Sequence, residues 1–86
     1  MIAEAYMQGI VKKIDKDNEA IYESPQGIFR CIAKRSEVDS KFYCLDMTTY
    51  TDYGHVLDRE CRLVSKEEKE DDVVRNFFVK SLMGIA

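Results

Sequence analysis

Eighty-six residues, 45% hydrophobic and 34% charged, suffice for one modest core, are too few for two domains, and lack the apolar-poor make-up of a disordered chain. Thirteen basic against sixteen acidic residues leave a formal charge of -3, too small to mark a general phosphate-backbone binder or a carboxylate-coated mimic of DNA. No apolar run approaches the roughly 20 residues that a bilayer crossing needs, which excludes an integral membrane protein that spans with helices.

The opening Met1-Ile2-Ala3-Glu4-Ala5 carries an acid where a signal peptide needs a basic region. Cys31, Cys44 and Cys61 are odd in number and form no C-x-x-C pair, which reads as reduced thiols in a cytoplasmic protein. In chain order, Ile2, Tyr6, Ile10 and Ile14 share one side of an extended pattern, predicting a long first strand bent by a bulge near Gly9. The turn formers Asp15-Lys16-Asp17-Asn18 lead into a second strand, Glu19 to Glu23.

Ser24-Pro25-Gln26-Gly27 sets proline at the second turn position and glycine at the fourth, the pattern of a hairpin with a positive-φ residue. A third strand follows from Ile28 to Ala33, and the polar residues from Arg35 to Ser40 predict a loop. Lys41 to Met47 reads as a strand buried on both faces, Thr48 to Gly54 as a strand end and exposed loop. His55 to Val64 is the last strand, with Leu57, Cys61 and Leu63 as its inward residues.

Ser65 and Glu68 have the spacing of a capping box, which predicts a helix from 65 to 84 with Gly84 at its stop. At about 100° per residue, Val73, Val74, Phe77, Phe78, Leu82 and Ile85 share half of its circumference. The expected fold is therefore α+β: a small antiparallel β-sheet or partly open barrel of about five strands, packed by one C-terminal amphipathic helix. It forms a single domain over 1–86, with a β-sheet region at 1–64 and the helix at 65–84.

Chemistry-bearing patterns are sparse. Asp15, Asp17 and Glu19 alternate like the opening of a calcium loop, but Ala20 and Gln26 stand where that loop needs glycine and glutamate. Cys31, Cys44, His55 and Cys61 have the ligand types of zinc without its paired spacing. An enzyme would have to assemble His55 with Asp52 or Asp58 by folding alone, and no Gly-rich phosphate loop is present. Neither a cofactor nor a metal nor catalysis is expected.

The richest candidate surface is aromatic. Tyr43, Tyr50, Asp52 and Tyr53, with the basic Arg30 and Lys34, have the character of an interface or of a base-stacking platform. Val79 and Met83 lie off the helix's core stripe and form a candidate interface for a homodimer. The leading expectation is a non-enzymatic adaptor or inhibitor that binds another protein through a sheet edge or the Tyr50 to Gly54 loop; small size, mild acidity and the lack of a catalytic pattern are features that inhibitors encoded by phages or mobile elements share. A nucleotide- or nucleic-acid-binding small barrel is the alternative.

Overall fold

A computed structural model describes residues 9–84. Five strands follow in order, β1 (Val11–Ile14), β2 (Ala20–Glu23), β3 (Phe29–Glu37), β4 (Phe42–Thr51) and β5 (Val56–Ser65), and then one helix, α1 (Glu70–Met83). Each strand pairs antiparallel with the next, so the sheet is an open meander with β1 and β5 at its edges. The partly open barrel does not form, because β1 and β5 find no partner in each other among the described residues.

Turn chemistry explains the hairpins. Asp15 Oδ1 accepts from the backbone N–H groups of Asp17 and Glu19 at 2.9 and 2.8 Å, which holds the first turn as an Asx turn and employs the carboxylate that suggested calcium. After Pro25, both Gln26 and Gly27 take positive φ, at 66° and 68°, and the Ser24 hydroxyl accepts from the Phe29 N–H at 3.0 Å. Gly9 marks no bulge, since β1 begins at Val11. A Cβ at Gly9 would stand 2.4 Å from Pro25 Cγ, so glycine serves there for close packing on the turn. Ile2, Tyr6 and Ile85 lie outside the described residues.

Residues opposite each other in an antiparallel pair share a face, and the register divides the sheet cleanly. Tyr22, Cys31, Ala33, Tyr43, Leu45, Met47 and Val64 line one face, buried against Val73, Val74, Phe77, Phe78 and Leu82 of α1. Val79 is buried with them, because a twisted sheet reaches round more of a helix than a flat one would. The expected helix-borne interface is thus corrected: Met83 is exposed, whereas Val79 belongs to the core.

Other boundaries move for physical reasons. β3 continues through Arg35, Ser36 and Glu37 opposite Leu45, Cys44 and Tyr43, where Arg35 stacks 3.9 Å from the Tyr43 ring and Glu37 pairs with Lys66 at 2.8 Å. β4 alternates buried and half-buried residues, so it is covered on one face only. Its strand runs through Thr51, leaving Asp52 to Gly54 as the turn. In β5, Leu57, Cys61 and Leu63 are exposed and Val64 is the buried residue.

Candidate functional site

One helix covers one face of the sheet, and no described element covers the other. Tyr50 of β4 stands on that open face between Arg30 of β3 and Val56 of β5. The next rung sets Ile32 opposite Thr48 and Thr48 opposite Arg59, and the one beyond sets Lys34, Asp46 and Cys61 side by side. Ile21 adjoins Ile32 on β2, and Leu63 adjoins Cys44 at the far end. Val56 and Leu63 are 59% and 56% exposed, values at which large aliphatic side chains of a strand leave much of their surface in water.

Two shallow depressions indent this surface around Tyr50. One, of about 260 Å³, is lined by Ile32, Thr48, Tyr50, Val56 and Arg59 among others. Its neighbour, of about 190 Å³, is lined by Arg30, Ile32, Tyr50 and Gly54. A larger cleft of about 680 Å³ lies elsewhere, between the first turn, β3 and the start of α1, and its walls mix Lys12, Arg35, Glu37 and Glu70.

The charges of the open face are largely matched. Arg59 grips Asp46 with two hydrogen bonds of 3.2 and 2.8 Å, and that guanidinium holds the Asp46 carboxyl below the usual carboxylate range. Lys34 lies 3.6 Å from Glu19, and Lys13 lies 3.2 Å from Glu23. Arg30 makes no ion pair among the described residues.

Of the residues predicted from sequence, Arg30, Lys34 and Tyr50 do come together on this face. Tyr43 does not: it is 2% exposed on the opposite face, under Arg35 and α1. Asp52 and Tyr53 occupy the β4–β5 turn, with Tyr53 86% exposed. Ile32, Val56, Arg59 and Leu63 are additional members of the surface, which only the pairing register could have disclosed.

Cys31 packs on the helix face while Cys44 and Cys61 stand on the open one, so the three thiols cannot share one ion. Among the described residues no group of three or more His, Cys, Asp or Glu side chains is placed to hold a metal. His55 follows the β4–β5 turn, and its N–H donates to Thr51 Oγ1 at 3.1 Å. No hydrogen bond joins its ring to Asp52 or Asp58 among the described residues, and Asp58 instead meets Ser81 on the helix face at 3.2 Å. No helix among the described residues is long and apolar enough to cross a membrane. Compared with protein-family models, with curated proteins and with solved structures, the chain matches none.

Proposed function

We propose that this chain is a non-enzymatic protein-binding module, an adaptor or inhibitor, that docks its partner on the open sheet face around Tyr50. One observation supports the reading above others: Ile32, Tyr50 and Val56 adjoin one another on a sheet face that no described element covers. Protein interfaces are enriched in such tyrosine and arginine side chains, which supply anchors among groups that add complementarity. Arg30 next to Tyr50 supplies such an anchor pair.

The ion pairs favour protein over nucleic acid as the partner. A polyanion is held by cations free to displace its counterions, whereas Lys13, Lys34 and Arg59 each face a carboxylate of their own chain. Photo-crosslinking in the cell of origin tests the proposal directly. With benzoylphenylalanine replacing Tyr50 or Ile32, a discrete protein adduct is expected, and none with the same probe at Lys80, an exposed residue of α1 on the other side of the sheet. Adducts to nucleic acid alone, or equal adducts from all three positions, would overturn it.

A further inference from the structure

β5 is the longer edge of the sheet. β4 occupies its inner side from Ser65 back to Val56, and no strand among the described residues pairs with its outer side. Such an edge offers unpaired peptide N–H and C=O groups to another strand, and proteins commonly guard it with charge. β5 does carry Asp58, Arg59, Glu60 and Arg62, but whether they repel a second strand depends on what they would face.

We infer that the occupant of this edge is β5 of a second copy of the chain, paired antiparallel about a two-fold axis that passes between Cys61 and its own counterpart. An axis perpendicular to the sheet sets one residue opposite itself and pairs its neighbours crosswise. Centred on Glu60, it would oppose two carboxylates. Centred on Arg59 or Arg62, it would oppose two guanidiniums, and the Arg59 register would also set Asp58 against Glu60. Centred on Leu63, it would pair only the stretch from Cys61 to Ser65.

The Cys61 register avoids all of these conflicts. Glu60 meets Arg62 of the second copy on both sides of the axis, Arg59 meets Leu63, Asp58 meets Val64, and no like charges face each other. The groups are available for it. Glu60 has no ion pair among the described residues, and Arg62 hydrogen-bonds Glu68 through one nitrogen, at 3.0 Å, with further N–H groups to donate. The exposed Leu63 would gain the aliphatic stem of Arg59 from the second copy. The two open faces would become one continuous surface, so the dimer would enlarge the docking face without obstructing it.

Sedimentation of the full chain tests the inference independently of any protein partner. The wild type is expected to be a dimer at high micromolar concentration, and Glu60→Arg to weaken it about tenfold or more by turning two opposite-charge pairs into like ones. The exchange Glu60→Arg with Arg62→Glu should restore the dimer, because the two-fold axis makes the swapped pairs equivalent. A monomeric wild type, or a dimer indifferent to Glu60→Arg, would overturn it. Should Glu60→Arg lose its circular-dichroism signature of folding, a short bis-maleimide decides in a Cys44→Ser background: linkage through Cys61 supports the register and its absence refutes it.

Discussion

Thr49 is fully buried in β4, and its hydroxyl donates to Ser81 Oγ of α1 at 3.0 Å. Ser81 Oγ in turn lies 3.2 Å from Asp58 Oδ2 and 3.0 Å from the Phe77 carbonyl, to either of which it can give its one proton. This short chain ties the last turns of the helix to two strands within an otherwise apolar layer. Cys31 also adjoins Thr49, but burial pushes its thiol up to about 12, which keeps it neutral, and sulfur is a weak acceptor. Removing Ser81 alone therefore strands the Thr49 hydroxyl, at a cost of about 1–3 kcal/mol. Replacing both groups with apolar ones leaves nothing stranded, so Thr49→Val with Ser81→Ala should destabilise by less than the sum of the single changes. Urea unfolding of the four proteins gives the coupling, and strict additivity would mean that the two hydroxyls do not act together.

At the scale of elements, α1 shows how a correct local signal can be displaced. Half of the capping box forms: Ser65 N–H donates to Glu68 Oε2 at 3.1 Å, whereas Ser65 Oγ accepts from Glu67 N–H at 3.2 Å and the Glu68 N–H donates to the Ser65 carbonyl at 3.0 Å. These bonds close a separate turn, and the helix begins only at Glu70, with Lys69 as an N-cap that offers no side-chain acceptor. Lys69→Ser should consequently stabilise the fold by about 0.5–1 kcal/mol through a bond to the first-turn N–H groups. A thermal midpoint no higher than that of Lys69→Ala would refute this. The helix stripe and the hairpins were legible because periodicity and turn residues are local properties. The covered face of β5 was not, because alternation separates two faces without saying which one meets the helix, and β5 carries apolar residues on both. Tyr43 could have been separated from Tyr50 by parity alone, since an odd interval along one strand puts them on opposite faces. Ile32 and Arg59 could not have been joined to Tyr50 without the register, which depends on long-range pairing.

For the molecule as a whole, the first strands and the start of the helix meet at Asp71. Its Oδ1 takes a 2.8 Å ion pair from Lys12 of β1 and a 2.5 Å hydrogen bond from the buried Tyr22 of β2. Lys12 first, and Tyr22 second, hold the Asp71 carboxyl below its usual range. Glu37, Asp39 and Asp46 shift the same way through Lys66, the Lys41 and Phe42 N–H groups, and Arg59 respectively. A carboxyl with a lower pKa folded than unfolded binds fewer protons in the native state, so its contribution is complete above the unfolded value, about 4. It disappears as pH falls from there through the folded value. Stability should therefore be insensitive to these groups at neutral pH and decline steeply below about pH 4. Tyr22 acts at the other extreme, because burial raises its phenol and the unfolded chain ionises first above about pH 10. Asp71→Asn keeps an oxygen to accept from Tyr22 and loses the charge that Lys12 meets. It should be less stable than the wild type at neutral pH, and the gap should close on acidification, as the wild-type carboxyl takes up its proton. Urea midpoints measured from neutral pH into the acid limb decide the point. A gap that stays constant with pH would assign the loss to altered packing at the β1–β2–α1 junction, and the ionised carboxylate would then have no part in holding the helix to the sheet.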